Sequence, residues 1–120
     1  MDPVSGLAVG RIAIGTLSLV SPARAAKLFR LDSSRNPQLP YITRLFGSRE
    51  IALGALTLVS SGATRRRLVG VGIAVDGADA FAGIAAATSG SVSKATGLFL
   101  AAPAIGAVAA GVAGLQELDG

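Results

Sequence analysis

A chain of 120 residues that is 51% hydrophobic and 15% charged, with a mean hydropathy of +0.61, is too apolar for an ordinary small soluble domain and predicts an integral membrane protein. His and Cys are absent and Met1 is the single Met, which excludes disulfides, Cys/His zinc sites, iron–sulfur clusters and the common haem ligands. The net charge of +4 does not read as nucleic-acid binding, because four Phe, one Tyr and no Trp leave no stacking platform; it reads as membrane flank.

The length fits one domain, residues 1–120, in which Gly (16) and Ala (23) supply about a third of the positions. Asp2 followed by Pro3 is a helix cap and first-turn proline, and opens an apolar segment at 4–20. Three more follow at 41–60, 68–87 and 92–115, each close to the ~20 residues that cross a bilayer as a helix. The prediction is an all-α bundle of four transmembrane helices, with both termini on one side.

Between the first two spans, residues 22–30 predict a short amphipathic helix with Ser21 as cap and Pro22 in its first turn. Leu28 and Phe29, with Ala25 and Ala26, fall on one side; Arg24, Lys27 and Arg30 fall on the other, the pattern of a helix lying on the membrane surface. The first segment does not read as a cleaved signal peptide, since Asp2 is acidic and the first basic residue, Arg11, lies inside the apolar run. Orientation is barely biased. Arg24, Lys27, Arg30, Arg35 and Lys94 flank one side, against Arg65, Arg66 and Arg67 on the other.

Residues 11–21 align without gaps to residues 50–60, with Gly15 opposite Gly54 and Arg11 opposite Glu50. If consecutive spans alternate in direction, the repeat is inverted; the other reading is coincidence in an Ala/Leu/Gly/Val alphabet. Because lipid tails are as apolar as Leu, helices in a bilayer associate by close packing on small residues. Gly70, Ala74, Ala78, Ala82 and Ala86 recur at four-residue spacing in the third span, Ala102, Gly106, Ala110 and Gly114 in the fourth, and Gly6 with Gly10 in the first. These rows are expected to be the packing ridges, within the bundle or between copies. Pro103 predicts a bend in the fourth span.

Six ionisable residues fall within the spans: Arg11, Arg44, Arg49, Glu50, Asp76 and Asp79. Burying a charge in a bilayer is costly, so three bases and three acids predict mutual neutralisation in the bundle interior, with Arg44 either in the cluster or snorkelling to the headgroups. Asp76 and Asp79, three apart, share a helical face. Arg11 is expected opposite Glu50, and Arg49 opposite Asp76 or Asp79. Arg49 and Glu50, about 100° apart on their helix, are not expected to pair. Such a cluster is either a salt-bridge network that fixes helix neighbours or a proton relay and polar-ligand site. No Ser/His/Asp or Cys/His set, phosphate-binding Gly loop or recurring metal-ligand spacing is present, and Asp76-x-x-Asp79 alone is a slight metal signal.

A first helix with a central Arg, a long connection, and then Glu50-Ile51-Ala52-Leu53-Gly54-Ala55-Leu56-Thr57-Leu58-Val59-Ser60-Ser61-Gly62 closed by Thr64-Arg65 resembles small four-helix membrane proteins of the DoxX-like type. Leu45-Phe46-Gly47-Ser48-Arg49-Glu50 and Asp76-Gly77-Ala78-Asp79 look like pieces of an actinobacterial relative of that type. The resemblance implies a four-helix bundle in a bacterial cell membrane, with an accessory role beside membrane oxidoreductases or in lipid and envelope biology. It carries no catalytic residues.

Three functions compete. The first is a non-enzymatic membrane component, without cofactor or nucleic acid, that associates with itself or a larger membrane complex. The second is a small proton-coupled carrier using the charge cluster. The third is a quinone- or lipid-binding subunit of a membrane oxidoreductase. Solvent access to Asp76 and Asp79 separates the first two, and a lipid-sized cleft beside Arg11 favours the third.

Overall fold

The computed structural model describes residues 1–119, which form five helices: α1 Pro3–Val20, α2 Pro22–Leu28, α3 Leu39–Val59, α4 Gly62–Ser89 and α5 Lys94–Asp119. The all-helical expectation holds. Helices α1, α4 and α5 are long and apolar enough to cross a membrane, the mark of a membrane protein; α3 carries Arg44, Arg49 and Glu50 and is not among them. Helix ends differ from the hydropathy boundaries. α4 starts at Gly62 (φ 59°), so Arg65, Arg66 and Arg67 lie in its first turns, and α5 runs on past Leu115 to Asp119. Hydropathy marks where a helix is apolar, whereas the backbone hydrogen-bond ladder continues through polar turns.

The interior mixes small apolar residues with polar and charged ones, and the surface exposes large apolar side chains. Arg11, Ser18, Thr43, Glu50, Thr57, Asp76 and Thr96 are buried, while Phe81, Leu98, Tyr41, Ile105 and Ile84 are exposed. In water this distribution would be costly; in lipid it is the favourable one. The Cα extents are 46 × 29 × 19 Å, and the long axis matches a bilayer with its headgroup regions.

Two extensive helix interfaces dominate, α1 against α3 and α4 against α5, and the two pairs touch each other sparingly. The α1–α3 seam is a backbone crossing. A Cβ on Gly47 would lie 2.6 Å from the carbonyl oxygen of Gly15, one on Gly15 would lie 2.7 Å from that of Gly47, and one on Gly54 would lie 2.6 Å from that of Ala8. Only glycine fits these positions. The partner numbers rise on α3 as they fall on α1, so the two helices are antiparallel. Under the 39-residue offset that joins Arg11 to Glu50, Gly15 maps onto Gly54 and Ala8 onto Gly47, so the contact Gly15–Gly47 exchanges with Gly54–Ala8. The aligned segments are therefore related by a local two-fold, and Arg11 with Glu50 sits on it.

The α4–α5 seam does not use the expected ridges. Gly97 lies against Ala87 and Gly83, Gly83 against Leu100 and Ala101, and Gly111 against Ile73. By contrast Ala74, Ala78, Ala82, Ala102 and Gly106 are exposed, Gly70, Ala86 and Ala110 are half-buried, and a Cβ on Gly70 or Gly106 would meet nothing within 4 Å. Gly114 is buried, but against Val4 of α1. The reason is geometric: four residues advance a helix by about 400°, so a strict four-residue row drifts about 40° per step and winds off the contact face. The seam instead runs through Ile73, Gly83 and Ala87 of α4, whereas the buried Gly72 and Asp76 face Arg11 of α1. α5 continues unbroken as helix through Pro103.

The end of the bundle that holds both described termini is tied by ions. Arg65 donates to the Ser5 hydroxyl at 2.8 Å and to the Thr57 carbonyl at 3.2 Å and lies 3.6 Å from Asp2, and Arg66 pairs with Asp119. The Asp2 carboxylate caps α1, accepting from the Ser5 amide at 2.9 Å and the Ser5 hydroxyl at 2.8 Å. The Ser5 amide first, then its hydroxyl, holds the Asp2 carboxyl below its ordinary 3.8. A lowered folded value means that the stabilisation is present above the unfolded value and is lost as pH falls through the folded one. Asp2→Ala should therefore lower the melting temperature in detergent slightly at neutral pH, and the difference should close on acidification below the ordinary carboxylate value.

Candidate functional site

Arg11, near the middle of α1, is buried and points across its seam. Its Nη1 donates to Glu50 Oε2 of α3 at 2.8 Å and to Asp76 Oδ1 of α4 at 3.0 Å, and its Nη2 to Asp76 Oδ2 at 2.5 Å. Gly72, one turn before Asp76, makes room for it: a Cβ there would lie 2.8 Å from Nη2. Arg49 of α3 lies beside this group. Its Nη1 and Nη2 donate to Asp79 Oδ1 and Oδ2 at 3.3 and 2.6 Å, and Nη2 also to Glu50 Oε1 at 3.2 Å. The Arg49 guanidinium carbon stands 5.2 Å from the centre of the Phe46 ring, and its Nε is buried without a hydrogen-bond partner.

Arg11 does meet Glu50, and Arg49 meets Asp79 rather than Asp76, which belongs to Arg11. Arg49 and Glu50, not expected to pair, do so at 3.2 Å; 100° of separation at the backbone is bridged because the long guanidinium runs sideways towards α4. Arg44 stands outside the cluster. It is exposed and its Nε donates to the Leu19 carbonyl of α1 at 3.2 Å. Five and six residues separate it from Arg49 and Glu50, which turns it about 120–140° away from their face.

The cluster is consequently three carboxylates on two guanidiniums, a formal net charge of −1 with every group ionised. The six carboxylate oxygens each accept from a guanidinium N–H. Oxygens of Glu50, Asp76 and Asp79 come within 4.8 Å of one another, a spacing at which carboxylates can hold a metal. Here the two guanidiniums already lie among them, so a metal would have to displace both arginines; the donor set fits an ion-pair network better than a metal centre.

Above the cluster opens a cleft of about 710 Å³ between the α1–α3 and α4–α5 pairs. Leu7 and Ile14 of α1, Phe46 of α3, and Leu100, Pro103 and Ala104 of α5 form apolar walls; Ala26, Leu28 and Phe29 of α2 close one end; Arg11, Glu50, Asp76 and Asp79 are its polar floor. Gly6 and Gly10, expected to pack against another helix, border the cleft instead, and no atom would meet a Cβ on Gly10 within 4 Å. Ala82 also lines it. α2 ends at Leu28, two residues short of the expected end, with Arg30 in the left-handed region (φ 61°). Ala25 and Ala26 are its buried face, Arg24, Lys27, Leu28 and Arg30 are exposed, Phe29 meets Phe46 edge-on at 6.0 Å, and Arg30 stands 5.4 Å over the Phe99 ring of α5.

Sequence reasoning reached the floor of this cleft and missed its walls. Leu7, Ile14, Phe46 and Leu100 are ordinary apolar residues of membrane helices, and no spacing distinguishes a wall from a lipid-facing surface. The glycines of the α1–α3 crossing did carry a signal, since Gly15 and Gly54 occupy the same column of the repeat.

No curated protein and no solved structure matches the chain. A family profile matches residues 8–114, from the second turn of α1 to the last turns of α5, and so takes in every residue of the charge cluster, the whole of α2, α3 and α4, and most of α1 and α5. The chain belongs to the family described as a domain of unknown function, DUF4267.

Proposed function

We propose that this chain is a four-crossing integral membrane protein of a bacterial cell membrane that seats a lipophilic ligand, a lipid or a quinone, in the cleft above Arg11, as a non-enzymatic accessory component of a larger membrane assembly. The observation that carries the reading is the cleft itself, about 710 Å³, apolar on its walls and charged on its floor. That is the build of a site for a molecule with a long apolar body and a polar head. The likeness to small DoxX-like proteins agrees with this arrangement. α3 serves as the fourth crossing in this reading: its 21 residues span about 31 Å, its Arg49 and Glu50 are paired internally, and Arg44 lies near its start within reach of headgroups. The exposed rows of Ala74 and Ala78 on α4 and Ala102 and Gly106 on α5 are surfaces for self-association or for a partner.

α2 lies on the membrane surface in this arrangement, its Ala25 and Ala26 on the bundle and its Arg24 and Lys27 towards headgroups. Spin labels at Leu28 and Lys27 should differ in accessibility to a lipid-soluble relaxant. Bulk-water values at both would make α2 an ordinary solvated connector.

The ligand reading is tested by purification in mild detergent with mass spectrometry of the lipids and quinones retained. Gly10→Leu places a side chain in open cleft space without touching a seam, so it should abolish retention of a stoichiometric lipophile while leaving the melting temperature of the ligand-free protein unchanged. Equal retention by wild type and variant would overturn the reading. A second reading, the proton-coupled carrier, draws on the Asp79 side chain, 32% exposed beside buried Glu50 and Asp76. Uptake driven by a pH gradient in proteoliposomes, lost in Asp79→Asn, would favour it.

A further inference from the structure

We infer that the head group this cleft accepts is cationic: the ligand is an amphipathic cation, an apolar body ending in an ammonium or comparable positive group. The inference rests on the reading of the cleft as a lipophile site and names the chemistry of its floor.

Glu50, Asp76 and Asp79 meet only Arg11 and Arg49, and Arg44, the base that would have balanced them, is turned away towards Leu19. With every group ionised the floor carries one surplus negative charge in surroundings of low dielectric, where an unneutralised charge is costly and a complementary one is bound strongly. An anionic head would add to the surplus. A neutral carbonyl head could take one of the unused guanidinium N–H groups, such as the unpartnered Arg49 Nε, but it would leave the surplus charge uncompensated. A cation needs only an acceptor. Asp79 provides one: it faces the cleft, its side chain is 32% exposed where those of Glu50 and Asp76 are 5% exposed, and an ionised carboxylate retains lone-pair capacity beyond the two bonds from Arg49. The apolar walls then receive the body. Leu28, Phe29 and Phe46, near the α2 end, add two aromatic rings that suit an alkylammonium as well as a hydrocarbon chain.

The test compares two probes that differ only in head charge: a decyl chain ending in trimethylammonium, and the same chain ending in the neutral tert-butyl group. Binding is measured by equilibrium dialysis to the protein in nanodiscs of zwitterionic phosphatidylcholine, with empty discs subtracted. The ammonium probe should bind about tenfold or more tightly than its neutral isostere, the scale of one charge-assisted contact in a partly desolvated site. Asp79→Asn should erase most of that preference and leave the neutral probe unaffected, whereas Gly10→Leu should remove both probes. Equal binding of the two probes to wild-type protein would overturn the cationic assignment while leaving the lipophile site standing. Failure of both probes to bind above empty discs, or binding that Gly10→Leu does not reduce, would overturn the site itself. The comparison on the wild-type protein needs no variant to fold.

Discussion

Replacing Arg11 by Gln should cost about 3–5 kcal/mol of stability. Arg11 is buried and holds two buried carboxylates, both oxygens of Asp76 and one of Glu50, so its removal leaves two negative charges facing each other with only Arg49 nearby. Glu50→Gln should cost less, because Asp76 still neutralises Arg11. Adding Asp76→Asn to Arg11→Gln should recover part of the loss, since the stranded carboxylate disappears with its partner. Reversible unfolding in mixed micelles measures all four corners of this cycle. Simple additivity of the two single changes would mean that Arg11 and Asp76 are not coupled, and the cluster would have to be drawn differently.

The second large effect lies where no charge is involved. Gly47→Ala adds a single methyl group, yet that carbon would come within 2.6 Å of the Gly15 carbonyl oxygen and 2.9 Å of the Ser18 Cβ, and neither backbone nor a fully buried Ser18 can yield. α1 and α3 must move apart along their whole seam, at a cost of about 1–3 kcal/mol or more. The same change at Gly54 meets the Ala8 carbonyl at 2.6 Å and should behave alike, as the local two-fold requires. Gly106→Leu, far larger, should be almost neutral because nothing lies within 4 Å of that position. Melting temperatures of the three variants in one detergent decide the matter. A destabilising Gly106→Leu with a silent Gly47→Ala would place the true seam on the four-residue row of α5, or on a contact between copies.

The contrast between these two sites explains what was legible in the sequence. Charges inside apolar segments are read through their cost, and cost demands partners, so Arg11 with Glu50 and Arg49 with an aspartate follow from composition and spacing. How many charges join the cluster does not follow, because Arg44 escapes by a rotation about the axis of α3 that hydropathy does not register. Small residues are harder to read. Ala and Gly fill a third of this chain, and their four-residue rows at Gly70 to Ala86 and Ala102 to Ala110 were conspicuous, yet such rows wind off the seam as the helix turns. Two of the three glycines at the α1–α3 crossing, Gly15 and Gly54, share one column of the repeat without looking like a packing motif, and Gly47 lies outside it. The cleft was the least legible feature, being a relation between two helix pairs: Leu7, Ile14 and Leu100 become walls only because α1–α3 and α4–α5 each pack tightly within themselves and loosely on each other.

A lipophile seated in that cleft differs from lipid around the bundle in which side chains it can touch. A photoactivatable fatty-chain probe incorporated in nanodiscs with the protein, followed by mass-spectrometric mapping of its adducts, reads this residue by residue. The structure predicts adducts on Leu7, Ile14, Phe46 and Leu100, which line the cleft, in addition to the outward residues Phe81, Ile84 and Ile105, with the cleft adducts lost in Gly10→Leu and the outward ones unchanged. Adducts confined to Phe81, Ile84 and Ile105 in the wild-type protein would contradict it.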